Sequence, residues 1–253
     1  MNRLILACIL AVSCYAQEFD AASIRPAAPL TTQCKGGPGT DDPGRLTCQN
    51  FPLSFYVMMA YDLRAYQYQG PDWMASTRFD VQATIPPGAT PEQFRSMLQH
   101  LLAERFKLTV HTGKKEMDGY NLVVSKASPD LKRSETQTPL AGLPLWRAPF
   151  AGPPVPARAQ INGIRMPMAG LATLVSDRIG RPVSDATALQ GFYDFKLSYT
   201  DSPSGASGLS ATDDSSVNLE TALKDQLGLA LVKKKVQVDT IIVDHSEKSP
   251  TDN

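Results

Sequence analysis

Apolar residues recur at helical spacing in four parts of the chain and at strand spacing between them. In NFPLSFYVMMAYD, Leu53, Tyr56, Val57 and Ala60 stand at i, i+3, i+4 and i+7, the stripe of a helix with one buried face. MPMAGLATLVSD carries the same stripe as Met168, Leu171, Ala172 and Val175 at one constant offset, and Asp62 and Asp177 coincide too. Pro52 and Pro167 suit the first turn of each helix, where a missing amide donor costs nothing. Thr90-Pro91-Glu92-Gln93 is a capping pattern that opens a third helix, with Phe94, Met97, Leu98, Leu101 and Leu102 on its buried face. Its counterpart carries Leu219, Ala222, Leu223 and Leu227 and stops at Gly228.

Strand signals follow each of these helices. Residues 78–83 (RFDVQA) and 192–197 (FYDFKL) come after the first helix of each set. After the second, the pattern predicts a hairpin: 106–110 turning through the polar stretch Gly113 to Gly119 and returning as 120–124. The later counterpart runs 229–232, turns at Lys233 to Lys235 and returns as 236–243. Residues 19–25 and 44–49 are candidate strands before the first helix, and 159–165 before its counterpart. The expected fold is therefore α+β: two tandem copies of a small helix-strand-helix-hairpin module joined by a Pro-rich linker. The boundaries read as module one over 17–126, linker over 127–158, module two over 159–247 and a flexible tail over 248–253. The linker holds seven prolines and no periodicity. The Ser-, Gly- and Asp-rich loop from Ser202 to Ser216 interrupts the second module.

The first sixteen residues stand apart from this pattern. Arg3 precedes an unbroken apolar run from Leu4 to Val12, and small residues lead to Ala16. This is a secretory signal, with cleavage expected before Gln17. A lipoprotein cut before Cys14 is the less favoured alternative, because Ala11 stands where such signals carry a larger aliphatic residue. No second apolar run approaches membrane-spanning length. Once the leader is removed, Cys34 and Cys48 are the remaining cysteines, and an exported chain with two cysteines is expected to join them. The product is expected to be periplasmic or secreted. Lys and Arg balance Asp and Glu at 25 each, with no basic stripe, which argues against a nucleic-acid partner.

The chemical inventory is thin. His100, His111 and His245 share no i, i+4 spacing that would put two imidazoles on one metal, and each reads as a surface or edge residue. His245 with Asp244 and Glu247 makes at most a loose metal patch. There is no Gly-x-Ser-x-Gly elbow, no Ser-x-x-Lys pair and no phosphate loop. Asp41 and Asp42 lack the alternating oxygen ligands of a calcium loop, so GGPGTDD reads as a tethered turn. No catalytic, cofactor-binding or metal-ligating residue is assigned. Asp80 and Asp194 recur at matching places after aromatics, which fits a structural role. Tyr61, Tyr66, Tyr68 and Trp73, around Gly70-Pro71-Asp72, form a candidate contact surface, since Tyr and Trp give large area at low entropy cost.

The motifs RFDVQA, GPDW, MLQHLLAERFKLTVH, YNLVVSK, MPMAGLATLVS, GRPVSDAT, GFYDFKL, ALKDQLGLAL and VDTIIVDHSEK resemble, in order, a family of exported soil-bacterial proteins known by a duplicated domain of unknown function. The likeness runs from Phe19 to Lys248. In that family the domain also occurs behind membrane metallopeptidases of the antibiotic-sensor type, which implies an extracytoplasmic sensory or interaction role. This chain has no His-Glu-x-x-His motif, so peptidase activity does not carry over. Each half is also similar to the short N-terminal domain of secretins and TonB-dependent receptors, a module for contacts between proteins. The function expected is that of an exported, non-enzymatic protein binding an envelope protein or cell-wall component. A small-ligand sensor and an envelope-polymer hydrolase with spatially assembled acidic residues are the alternatives.

Overall fold

The computed structural model of the protein describes residues 18–28, 31–126, 129, 131–137, 159–200 and 218–251. In chain order these form β1 (Ala21–Pro26), β2 (Gln33–Gly36), β3 (Arg45–Pro52), α1 (Leu53–Ala60), β4 (Tyr68–Gln69), α2 (Trp73–Ser76), β5 (Arg78–Thr84), α3 (Pro91–Phe106) and β6 (Thr109–Val124). Then come β7 (Lys132–Arg133), β8 (Ala159–Met166), α4 (Met168–Ile179), β9 (Val183–Asp185), β10 (Tyr193–Tyr199), α5 (Leu219–Leu227) and β11 (Leu229–His245). The proposed leader, the loop 202–216 and most of the Pro-rich stretch lie outside the described residues.

The helices form where the stripes stand, with informative differences. Every residue of α1 is buried, not one face alone, so it is a fully enclosed core helix. Pro52 and Pro167 sit one position earlier than expected, as extended N-cap residues. Thr90 and Gln93 make the reciprocal cap of α3: the Gln93 amide donates to Thr90 Oγ1 at 3.2 Å, and the Thr90 amide donates to Gln93 Oε1 at 2.7 Å. Asn218 caps α5 through the Thr221 amide at 2.8 Å, and Gly228 closes it in the left-handed region at φ 67°. Among the described residues no helix is long and apolar enough to cross a membrane.

The expected α+β chain of two tandem helix-strand-helix-hairpin modules does not form. Strand makes up 42% of the described residues against 27% helix, so the protein is mostly β, with three sheets and five helices. The order of the first sheet is β1-β5-β3-β2, of the second β7-β10-β8, and of the third β4-β11-β6-β9. In place of two hairpins, β6 and β11 each run straight and pair antiparallel with each other, from Leu229 opposite Val124 to His245 opposite Thr109. The supposed turn residues explain why. Neither Gly113 nor Gly119 takes the positive φ that the tight hairpin turns need at glycine. A Cβ on Gly119 would lie 2.8 Å from the Pro182 carbonyl oxygen and 2.9 Å from Val236 Cγ2, so the glycine serves close packing in an extended strand. Beside it, Lys235 Nζ holds Asp118 at 2.7 Å across the ladder.

Each hydrophobic core takes one end of both long strands. The first gathers Leu46, Phe55, Tyr56, Phe79, Phe94 and Phe106, with Val110 of β6 and Val243 of β11 against it. The second gathers Leu171, Val175, Leu197, Ala222, Leu223 and Leu229, with Leu122 of β6 inside it and Leu231 of β11 against it. Short parallel strands finish the shared sheet: β4 lies along β11 at Ile241 and Ile242, and β9 along β6 from Tyr120 to Leu122.

Candidate functional site

The aromatic group sits at the junction between the two halves. Tyr61 is the C-cap of α1, Tyr68 lies in β4 and Trp73 opens α2; all three pack partly buried against the first core. Burial raises the phenol pKa of Tyr61 and pushes that of Tyr68 up to about 12, and the Tyr68 hydroxyl donates to Met74 Sδ at 3.4 Å. Lys248 Nζ stands 5.8 Å from the centroid of the Trp73 ring. Tyr66 reaches furthest, its hydroxyl 3.2 Å from Ser176 Oγ on α4. Arg64 pairs with Asp177, and Gln67 Nε2 donates to the Asp239 carbonyl at 3.0 Å. This loop braces the first half against α4 and β11. Arg64 and Ser176 carried no sequence signal, and Asp177 only its match to Asp62, since the brace partners lie more than a hundred positions apart.

The titratable residues take separate places. His111 Nδ1 is 2.7 Å from Asp244 Oδ1 across the shared sheet, and His100 Nδ1 is 3.5 Å from Glu18 Oε1. His245 ends β11 opposite Thr109. Among the described residues no three His, Cys, Asp or Glu side chains come together as a metal site. Asp80 and Asp194 do corresponding work. Each accepts a backbone N–H at 2.8 Å from a residue in the left-handed region, Asn50 at φ 59° and Arg165 at φ 46°. Both sit at strand irregularities, between Cys48 and Phe51 on β3 and between Tyr193 and Phe195 on β10. The Arg165 amide, and then the Ser134 hydroxyl at 2.7 Å, hold the Asp194 carboxyl below its ordinary range. Asp42 lies in the turn between β2 and β3, its carbonyl accepting from Gly37 N at 3.1 Å. A disulfide joins Cys34 to Cys48 directly across those two strands.

The first two sheets differ at their edges. β3 pairs with β5 on one side and with β2 on the other. β8 pairs with β10 on one side and with no other strand among the described residues. On β8, Ala159, Ile161 and Gly163 turn inward and Gln160, Asn162 and Ile164 outward, leaving Ile164 58% exposed. That signal was present in the sequence, as an apolar residue in the polar phase of an alternating strand. Val232 on β11 is the other strongly exposed large apolar side chain among the described residues, at 51%. A shallow, open depression of about 250 Å³ lies elsewhere, on the first half, between Glu18, the 86–89 turn, Gln93 and Met97.

No curated protein and no solved structure gives a significant match to the chain. A family model does match, over residues 55–246, from within α1 to just past β11, and that span exceeds half of the chain. The chain belongs to the DUF3738 family of proteins of unknown function.

Proposed function

We propose that this is an exported, non-enzymatic interaction protein of the cell envelope, periplasmic or secreted, whose partner is an envelope protein. The observation that carries the reading is the outer edge of β8, which pairs with no other strand among the described residues and has Ile164 exposed beside it. Strand edges left unprotected pair readily with other chains. The Cys34–Cys48 disulfide supports export, because such bonds persist in oxidising compartments. The resemblance to modules that make contacts between proteins points the same way. The aromatic loop from Tyr61 to Trp73 is a second contact surface in this reading, with Trp73 at its rim.

The test is retention of a partner from envelope extract by the full-length, disulfide-bonded protein, with Trp73→Ala alongside. A specific partner retained by the wild type, and retained less well by the variant, is expected. If no specific partner is retained across a range of salt and pH, the interaction reading falls.

A further inference from the structure

We infer that the outer face of Trp73 is a seat for a cationic side chain, held in the free protein by the chain's own Lys248 and taken over by an arginine of the partner protein. The inference rests on the interaction reading, in which Trp73 stands at the rim of a contact surface, and adds the chemistry the partner brings there. The mount is firm. Trp73 is the first residue of α2, and Met74 beside it is wholly buried in the first core. The Trp73 carbonyl closes the turn, accepting the Thr77 amide at 2.8 Å and the Ser76 hydroxyl at 3.1 Å. Around the partly buried indole, Pro71, Asp72, Ala75 and Ser76 are all exposed, so the ring stands at the surface on a fixed turn.

What lies over this ring shows what it takes. β11 ends at His245, and residues 246–251 continue as a strap across the C-terminal end of α3. The Glu247 amide donates to the Phe106 carbonyl at 2.7 Å, and the Thr251 amide to the Arg105 carbonyl at 2.8 Å. Both acceptors belong to the last turn of α3, whose carbonyls have no partner within the helix. Between these anchors Lys248 places its ammonium over the indole, 5.8 Å from the ring centroid. The contact is a loose one. That distance is close to the limit of about 6 Å for such pairs, and Lys248 is exposed. The anchors are backbone bonds of other residues, so the Lys248 side chain can rotate off the ring without freeing the strap. A guanidinium suits the place better. It is planar, lies flat on an aromatic face and is less strongly hydrated than an ammonium. The exposed Asp72, next to Trp73 in the chain, adds a carboxylate at the rim that favours an incoming cation.

To test this, a displayed random-peptide library is selected on the full-length, disulfide-bonded protein as wild type, Lys248→Ala and Trp73→Leu. Selected peptides are then titrated onto each protein, together with copies in which citrulline, uncharged and of similar shape, replaces arginine. Expected are arginine-bearing peptides that bind Lys248→Ala about threefold more tightly than the wild type, because the competing ammonium is gone. Their citrulline copies should bind about threefold or more weakly. The melting temperature of Lys248→Ala should be unchanged, since that residue is exposed. Trp73→Leu keeps an apolar packing group without a cation-binding face and should lose the preference for arginine. The citrulline comparison alters only the peptide, so it decides independently of any loss of stability in Trp73→Leu. A selection that yields no arginine-bearing peptides, citrulline copies that bind as well as their parents, or an affinity unmoved by Lys248→Ala overturns the inference. An envelope partner retained equally by the wild type and Trp73→Leu removes this seat while the interaction reading stands.

Discussion

At the residue scale, two aspartates hold the backbone where it turns out of register. Asp80 accepts the amide of Asn50, and Arg78 Nη1 donates to the Asn50 carbonyl at 2.7 Å, so this left-handed residue is fixed from both sides. Asp80→Ala leaves that amide without its acceptor and is expected to lower stability by about 1–3 kcal/mol, read from denaturant unfolding. Asn50→Val, a β-branched residue placed at φ 59°, is expected to cost about 1–2 kcal/mol, whereas Asn50→Gly should cost much less. Asp194 gives a pH signature. Its folded pKa lies below the ordinary 3.8, with the Arg165 amide as the leading cause and the Ser134 hydroxyl next. The unfolded chain therefore takes up the proton first as pH falls. The stability this group contributes is full above the unfolded pKa and is lost as pH drops through the folded one. Acid titration of Asp194→Ala should show a shallower loss of stability below about pH 4 than the wild type. An unchanged acid profile would remove the carboxylate from this role.

At the scale of elements, helices were legible and strand partners were not. The stripes at 53–60, 94–102, 168–175 and 219–227 became α1, α3, α4 and α5, because 3.6-residue periodicity and local caps are written within one segment. The strands before α1 and α4 were also legible, from their position and composition. Pairing was not, since it depends on residues far apart in the chain. Asp118-Gly119 has the composition of a tight turn, yet packing against Pro182 and Val236 keeps it extended. The two glycines of β6 separate this packing role by experiment. In Gly119→Val the added Cβ meets a carbonyl oxygen of the backbone, which cannot swing aside, and a loss of about 1–3 kcal/mol is expected. In Gly113→Ala the nearest atom is Ile242 Cδ1 at 2.7 Å, the end of a side chain that can rotate, so a smaller loss is expected in the same melt. The Cys34–Cys48 bond adds a covalent link to the β2–β3 pair. Reducing Cys34–Cys48, which closes a separation of 14 residues, should lower stability by about 3 kcal/mol, measured as the melting shift with reductant.

At the scale of the molecule, the β6–β11 ladder makes the halves interdependent. The sequence stripes correctly marked two sets of core residues, but each set lacks part of its lining until the long strands cross between them. Leu122, wholly buried in the second core, arrives on a strand that starts beside the first. Val243, packed against the first core, arrives on a strand that starts in the second. The brace of Tyr66 on the buried Ser176 and of Arg64 on Asp177 adds contacts, but one hydroxyl pair and one partly exposed ion pair contribute little beside the ladder and its apolar ends. Cutting the chain between residues 138 and 158 therefore should not release two stable domains. After proteolysis at a site placed there, the two pieces should co-elute in native buffer and separate only in denaturant. The piece from 159 to 253, prepared alone, should show no cooperative melt, because it lacks Leu122, Val124 and the sixteen ladder partners that β6 supplies. Adding the first piece should restore both the melt and the strand signal in circular dichroism. Pieces that part in native buffer while each keeps its own cooperative transition would show that each core closes by itself, and the ladder would then be a seam between independent units and not the element that makes them one.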